Sequence, residues 1–409
     1  MNCRERLLAA WNGKQADHVP LTTWCFGFAP PAALRWKKRG KEVLHWYSLR
    51  MEHIHTLPQE WELEDDIRRA RAWLSIGLDD MLEVSVPWSM DPAVSYTDTR
   101  VGGDKPLLAR TYETPAGQLR HAVRQTGEEQ GPGWVVQPDH VPLFEDYNIP
   151  RAEEHAVSSP QDVVKIRHLY RAPDEPAASW FRGRMSALRS AAEDLQVPVQ
   201  AWSAFGMDAA VWLTGTEKAI LMAMDHPRAF GELMDILAEA DLGRTELAAA
   251  TEGVDLVVQR GWYSSIDFWS PGLFEAYVYP HVAELAAAAH RHGKKFAYVM
   301  TTGVEVLGPR LADAGVDVLY FVDPGDPIGG GLSLPRVKEL LGSRMTLVGG
   351  ISSLSLASRD PQRIEREVAE AVETLAPTGR FVLHPVDAVF PDTPWEGVQM
   401  LIEAWRKYR

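Results

Sequence analysis

Cysteine is scarce in this 409-residue chain, which contains only Cys3 and Cys25. Two thiols cannot make a disulfide framework and are too few for a thiolate metal cluster. Long apolar runs are missing as well, because no stretch approaches the roughly 18 apolar residues of a transmembrane helix. The opening residues are charged and amphipathic, which is not the pattern of a signal peptide. We therefore expect a cytoplasmic protein with reduced thiols.

Basic residues are in the minority, with 42 Lys and Arg against 56 Asp and Glu and a formal net charge of −14. No basic block offsets this balance, which argues against a nucleic-acid or anionic-membrane partner. The signatures of nucleotide binding are also absent, since no G-x-G-x-x-G or P-loop follows a predicted strand. We therefore expect a small-molecule substrate and neither a nucleic acid nor a membrane as partner.

Tryptophan, by contrast, is abundant, with 15 residues. That number suggests a large pocket or interface, although core packing explains many individual tryptophans. The tryptophans that we expect to line the mouth of such a pocket are Trp24, Trp88, Trp202, Trp262 and Trp269.

Short apolar runs alternate with long amphipathic segments over most of the chain. Runs without polar alternation are typical of strands that are covered on both faces, and alternating strands and helices imply a parallel sheet. The predicted strands are Leu78–Val84, Val197–Trp202, Val254–Gln259, Lys295–Met300, Val316–Phe321, Met345–Val348 and Arg380–His384.

Eight such strands would close an α/β barrel, so one more is expected, within residues 85–175. That stretch is irregular, and the clear signal in it is a β-hairpin formed by Leu107–Thr114 and Gln118–Gln125. We predict one barrel domain over 1–409, with an N-terminal extension over 1–77 and an insertion over 85–175. A doubly wound open sheet is the alternative.

The active site of a parallel barrel lies at the C-terminal ends of its strands. His384 ends the last predicted strand and can act as an acid, a base or a ligand. Asp387 follows it and could orient the imidazole or serve as turn chemistry. If the protein binds a divalent metal, these two residues are the predicted ligands. His384 could equally be hydrogen-bonded within its loop.

A polar and aromatic segment follows the strand that ends at Gln259. Tyr263 and Asp267 are candidates for proton transfer, and Arg260 could hold a carboxylate through a bidentate pair. A capping and salt-bridge network beneath the helix at Pro271 is the alternative. The predicted substrate-binding residues are Gln259, Arg260, Trp202, Trp262, Asp323, Glu83 and Tyr298.

Five segments, in order along the chain, form a recognisable set: Arg4–Pro20, with Arg6, Gly13 and Asp17; Gln259–Pro280, with Ser270-Pro271; Gly315–Asp323; Val348–Ser352; and Phe381–Tyr408, with Thr393-Pro394. Together they resemble the uroporphyrinogen decarboxylase (URO-D) superfamily, which includes corrinoid-dependent methyltransferases. The resemblance implies a TIM (β/α)8 barrel and a homodimer, and the overall pattern is closer to the methyltransferase-like branch.

The departures from the family pattern bear on the reaction. The zinc-binding methyltransferases carry a histidine and a cysteine near the positions of Met300 and Thr302 and a further cysteine near His384–Asp387, and this chain has no cysteine in either region. The true decarboxylases carry an arginine-rich N-terminal motif, and the matching stretch Trp24–Pro31 has no arginine. His384 matches a histidine that decarboxylases carry near the last strand.

Three hypotheses follow. The first is a methyltransferase-type enzyme that transfers or removes a methyl group of a small organic substrate. The second is a cofactor-free decarboxylase, a lyase that uses Arg260 and an Asp or His acid. The third is a barrel without catalysis that binds a corrinoid protein. The cofactor stays open between none, a divalent metal and a corrinoid supplied by a partner protein.

Overall fold

Seven parallel strands curl into one sheet at the centre of the computed structural model. The structure describes residues 1–24, 31–35, 37–38, 41–42, 63–124, 141, 143–144, 151–325, 332–387, 389 and 393–409. In spatial order the strands of this sheet are β13 (Phe381–Val386), β12 (Thr346–Ser352), β11 (Val318–Val322), β10 (Lys295–Val299), β9 (Leu256–Gln259), β8 (Val199–Ala204) and β3 (Leu82–Ser85).

Helices follow the strands and cover the outside of the sheet, as a parallel arrangement requires. In chain order the described helices are α1 (Cys3–Trp11), α2 (Leu63–Ser75), α3 (Val163–Ile166), α4 (Glu175–Leu195), α5 (Met207–Thr214), α6 (Thr216–Asp225), α7 (Pro227–Ala250), α8 (Pro271–Tyr277), α9 (Tyr279–Arg291), α10 (Val304–Asp313), α11 (Leu334–Leu341), α12 (Ser353–Ser358), α13 (Pro361–Leu375) and α14 (Trp395–Tyr408). None of them is both long enough and apolar enough to cross a membrane.

All seven predicted strands are present, with boundaries shifted by a few residues. Two boundaries shift most and by the same amount: β12 ends at Ser352 and not at Val348, and the first strand begins at Leu82 and not at Leu78. Asp79 and Asp80 occupy the intervening turn, where they form buried ion pairs with Arg6 and Arg69. Buried charges need partners, so the residues of this turn form ion pairs and are not part of the strand.

An extended N-terminal segment, Leu21–Trp24, stands between the two edges of the sheet. The Thr22 N–H donates to the Leu383 carbonyl at 3.1 Å, and the Leu383 N–H donates to the Pro20 carbonyl at 2.9 Å. On the other side the Asp79 N–H donates to the Leu21 carbonyl at 2.9 Å. The segment thus takes the eighth position of a TIM barrel. We expected that strand within residues 85–175, where no described strand joins the barrel sheet.

Ion pairs from helix α1 hold the N-terminal part of the chain, and with it this segment, in place. Arg6 bonds to Asp17 at 2.8 Å and to the buried Asp79 at 2.5 Å, while Arg4 pairs with Asp255 near the start of β9. These arginines belong to the N-terminal motif on which the family resemblance partly rests. Their contacts give that motif a structural role: it attaches the N-terminus to the barrel.

The insertion contains an antiparallel sheet of its own. Its strands are β4 (Ser95–Val101), β5 (Leu107–Thr114), β6 (Gly117–Arg124) and β7 (Ala152–Glu154). The predicted hairpin is therefore confirmed as β5 and β6, whereas sequence reasoning missed β4 and β7. Strand β4 is exposed along its whole length, which is why it lacked an apolar signal. Two further short strands, β1 (Lys37–Lys38) and β2 (Lys41–Glu42), pair with each other.

Two helical glycines provide a matched test of the packing after the last strand. A Cβ on Gly397 in α14 would lie 2.1 Å from the Leu356 carbonyl oxygen of α12, whereas a Cβ on Gly183 in α4 would meet nothing within 4 Å. Gly397→Ala should lower the free energy of unfolding by about 2 kcal/mol or more, because the helices must separate. Gly183→Ala should raise it by about 0.5–1 kcal/mol. Urea unfolding of both variants checks this, and equal effects would contradict the packing.

Candidate active site

Polar side chains meet in a cavity inside the barrel, beneath the Leu21–Trp24 segment. Its volume is about 10 Å³, which is roughly the space for one water molecule. The lining residues are Thr22, Thr23, Trp24, Asp80, Met81, Glu83, Gln200, Trp202, Tyr320 and His384. Burying this many polar groups in a barrel core is costly unless they bond to each other or to a ligand. The cavity is therefore the candidate active site.

Neighbouring strands bring the polar groups together. Glu83 of β3 and Gln200 of β8 face each other in the sheet register, and both are buried. The Tyr320 hydroxyl of β11 donates to the Gln200 Oε1 at 3.3 Å. His384 of β13 packs against the rings of Tyr320 and Phe321 at centroid distances of 6.3 and 5.1 Å. Four strands thus each contribute one polar side chain to the same space.

His384 is held as a neutral imidazole. Burial lowers its pKa to about 4, although the hydrogen bond to the Pro385 carbonyl opposes this shift. That bond joins Nδ1 to the carbonyl oxygen at 2.6 Å, so Nδ1 carries the hydrogen. The neutral ring then has its lone pair at Nε2. His384 can therefore accept a proton or a hydrogen bond near neutral pH, but it has no proton to give as an acid.

Three tryptophans stack above the polar groups. The Trp24 ring lies 4.8 Å from Trp202 with an interplanar angle of 7°, and 5.4 Å from Trp262 with an angle of 20°. The Trp202 indole N–H donates to Glu83 at 3.0 Å, and the Trp262 indole N–H donates to Asp387 at 2.9 Å. The carboxylates thus fix these two rings and leave their flat faces for contact with Trp24. We call these three residues the tryptophan stack.

The other two candidate tryptophans lie elsewhere, which corrects the prediction that all five share one mouth. Trp88 packs edge to face against Phe144 and Phe205. Trp269 stacks on Phe230 at 5.5 Å. Neither ring lines the cavity, and each belongs to a separate aromatic cluster of the core.

Arg260 is close to the tryptophan stack but does not line the cavity. Its Nε bonds to Asp208 of α5 at 3.2 Å, and both side chains are buried. The guanidinium lies 4.7 Å from the Trp212 ring centroid and 4.5 Å from that of Trp262. Asp208 also accepts the Tyr263 backbone N–H at 2.9 Å. Arg260 therefore supports the loop after β9, in agreement with the alternative that we raised for this segment.

The remaining predicted residues are spread around the strand ends. Asp267 is exposed and accepts the hydroxyl hydrogen bonds of Ser265 and Thr302. Tyr298 is buried against Ser264, with 2.6 Å between their hydroxyl oxygens, and its burial raises its pKa. Asp323 accepts the Gly325 N–H at 2.8 Å. Gln259 is buried, and its Oε1 accepts no hydrogen bond from the described residues. The cavity lining contains none of these four.

The predicted metal ligands do not form a chelating group. His384 uses Nδ1 for the Pro385 carbonyl, and Asp387 accepts the Trp262 indole N–H. Within the described residues no three His, Cys, Asp or Glu side chains come close enough to hold an ion. Cys3 is buried beside Asp80, where burial raises the pKa of its thiol. Cys25 lies outside the described residues. The donor set seen here does not fit a zinc site.

Sequence reasoning missed Tyr320 and Gln200. Both lie inside apolar strands, whereas most of the predicted site residues stand at or just after the ends of strands. A polar side chain in the middle of a strand with apolar neighbours is itself a signal, because the core excludes such groups unless they are needed. Thr22, Thr23 and Asp80 carried no local signal of this kind.

Comparison with known proteins agrees with this architecture. A family model described as uroporphyrinogen decarboxylase (URO-D) matches residues 143–408. The chain belongs to the uroporphyrinogen decarboxylase family. This confirms the resemblance inferred from the sequence motifs. No curated protein sequence matches the chain significantly.

Among solved structures, a methyltransferase from Methanosarcina mazei shares the fold of this uroporphyrinogen decarboxylase family member. It is 18 % identical with a TM-score of 0.58, and the alignment covers 100 % of this chain and 99 % of that one. A D-psicose 3-epimerase aligns at 12 % identity with a TM-score of 0.31 over 55 % of this chain and 82 % of the other. The second similarity is too weak to indicate a common fold.

The neutral state of His384 predicts a pH dependence of stability. In the unfolded chain its pKa is near the ordinary 6.5, whereas in the folded protein it is about 4. The unfolded chain therefore binds the proton first, and stability falls as the pH drops from about 6.5 toward 4. The full loss assigned to this group is about 3 kcal/mol. The His384→Gln variant should not show this pH-dependent loss of stability.

Urea unfolding of both proteins between pH 7 and 4.5 measures the difference. Other groups titrate in this range too, so the quantity to compare is the wild-type slope minus the variant slope. Identical slopes would mean that His384 is not held neutral.

Proposed function

We propose that this protein is a methyltransferase-type enzyme that removes a methyl group from a small organic substrate bound in the cavity. The observation that carries the proposal is the charge of the lining. The described lining has two carboxylates and neither lysine nor arginine. Asp80 is paired with Arg69 outside the lining, so the carboxylate that determines the charge of the cavity is Glu83. His384 adds no charge near neutral pH, because burial holds its pKa at about 4. A neutral or cationic substrate suits this cavity, and a carboxylate does not.

The same observation weighs against the decarboxylase hypothesis. A decarboxylase of a carboxylate substrate needs a cation to hold the carboxylate and an acid to protonate the carbanion. Arg260, the predicted cation, is paired with Asp208 and lies between Trp212 and Trp262. His384, the predicted acid, is neutral. Glu83 would also repel an anionic substrate, since like charges in a low-dielectric site cost several kcal/mol by a rough estimate.

The cavity residues divide the work of substrate binding. The Trp202 face in the cavity, with the Trp262 face beside it in the tryptophan stack, offers apolar contact to the methyl-bearing group. The Glu83 carboxylate, Gln200 and Tyr320 supply hydrogen-bond partners from three strands. His384 Nε2 offers a further acceptor at the last strand. Because the cavity holds about one water, Trp24 or another lining side chain must move when the substrate enters.

Methyl transfer also needs an acceptor. The bond between the methyl carbon and its oxygen or nitrogen breaks, the electron pair stays with that atom, and the methyl group passes to a nucleophile. We propose that this nucleophile is a reduced corrinoid brought by a partner protein. The family membership and the fold shared with a methyltransferase support this choice.

Turnover of cavity variants tests the proposal. A panel of methyl ethers and methylated amines is incubated with free cob(I)alamin as acceptor, and loss of the Co(I) spectrum reports methyl transfer. For a donor that reacts, Glu83→Gln and Tyr320→Phe should each lower kcat/KM by about tenfold or more, because a buried hydrogen bond to the substrate is lost.

The matched control is Tyr112→Phe, which alters a buried tyrosine of the insertion sheet. It should change kcat/KM by less than about twofold, in line with a site remote from the cavity. Equal activity in wild type and both cavity variants would place the chemistry elsewhere. Failure of every donor, with retained binding of a corrinoid protein, would favour the binding-partner hypothesis instead.

A further inference from the structure

The tryptophan stack and the carboxylates around it identify a class of substrate for the proposed function. Trp24, Trp202 and Trp262 turn aromatic faces toward one another within centroid distances of 4.8 to 6.2 Å. The indole N–H groups of Trp202 and Trp262 donate to Glu83 and Asp387, respectively. Aromatic faces next to a carboxylate form the kind of site that binds quaternary ammonium groups.

One member of the stack already contacts a cation. The Arg260 guanidinium lies 4.5 Å from the Trp262 ring centroid, and Asp208 neutralises its charge. The electron-rich face of a tryptophan in this position therefore takes part in a cation–π contact within the protein itself. Glu83 and Asp80 add negative charge to the cavity side of the stack, with Asp80 also paired to Arg69.

We propose that the substrate carries a methylated ammonium group, which takes the place of the Trp24 ring against Trp202 and beside Glu83. Trp24 is the ring that moves, because it lies on the Leu21–Trp24 segment outside the barrel strands, whereas Trp202 lies in β8 and donates a hydrogen bond to Glu83. Trp24 lies on the extended closing segment, whose backbone bonds to Val389 through the Trp24 carbonyl. A fully methylated nitrogen has no N–H to satisfy, so aromatic faces and one carboxylate suffice to bind it.

The chemistry of the departing group agrees with this class of substrate. When a tetraalkylammonium loses a methyl group, the carbon–nitrogen bond breaks and its electron pair stays on nitrogen. The products are a neutral tertiary amine and the methylated acceptor, so no proton is required. A methyl ether would instead leave as an alkoxide that needs an acid. Neutral His384 cannot supply that proton, and burial raises the pKa of the Tyr320 hydroxyl.

Binding of choline and of its neutral carbon isostere, 3,3-dimethylbutan-1-ol, tests the inference without any turnover. Isothermal titration of the full-length protein should show choline at least tenfold tighter, because only the cation gains cation–π and carboxylate attraction. Glu83→Gln should weaken choline about tenfold and the isostere less than twofold. Equal affinities, a tighter isostere, or no binding of either at millimolar concentration would overturn the inference.

A second pair of variants keeps the test independent of the buried Glu83. Trp262 is only partly buried, so Trp262→Phe and Trp262→Leu should both fold. Phe keeps an aromatic face and should cost choline binding about threefold or less, whereas Leu should cost tenfold or more. The exposed Trp180→Phe is the control and should leave affinity unchanged. Equal losses of choline affinity in the Phe and Leu variants would mean that Trp262 makes only an apolar contact, and would contradict a cation–π interaction.

This inference rests on the proposed function but fails separately from it. Tight choline binding without methyl transfer to any corrinoid would retain the ligand class and remove the reaction. Demethylation of a neutral methyl ether without choline binding would retain the reaction and remove the ligand class.

Discussion

The closing segment Leu21–Trp24 is the constraint on which the candidate site depends. Its backbone bonds to Leu383 on one side and to Asp79 on the other complete the barrel. Arg6 stabilises this closure through Asp17 and Asp79, so the ion pairs at the N-terminus determine where the segment lies. The segment in turn places Thr22, Thr23 and Trp24 over the cavity. Without it the strand edges of β3 and β13 would face solvent, and the cavity would have no roof.

The chemistry of the cavity follows from this enclosure. Closing the barrel removes Glu83, Gln200, Tyr320 and His384 from water, which holds the imidazole neutral and raises the pKa of the tyrosine. We propose that the Glu83 carboxylate, which lies beside the tryptophan rings, selects the substrates of this site. Arg260 could have reversed that preference, but Asp208 binds it behind Trp262. The family fold is retained, and the proposed preference for neutral or cationic ligands follows from the charge of the cavity.

The strands and the family could be predicted from sequence because their signals are local. A mostly apolar run such as Phe381–Val386 predicts a strand covered on both faces, and this prediction needs no information from the rest of the chain. The closing segment has no such pattern, since Leu21 pairs with Leu383 at the far end of the chain. Arg260 was predicted to bind substrate, but it pairs with Asp208 of another strand–helix unit, and no sequence spacing reveals that pairing. Tyr320 was overlooked because its strand otherwise looks like plain core.

The cavity beneath Trp24 is the proposed substrate site for a methylated ammonium. A crystal structure of the protein grown with choline tests it most directly. We predict the trimethylammonium group against the face of Trp202 and beside the Glu83 carboxylate, with the Trp24 ring displaced from its stacked position. Choline bound elsewhere, or absent from a cavity in which Trp24 still stacks on Trp202, would contradict it.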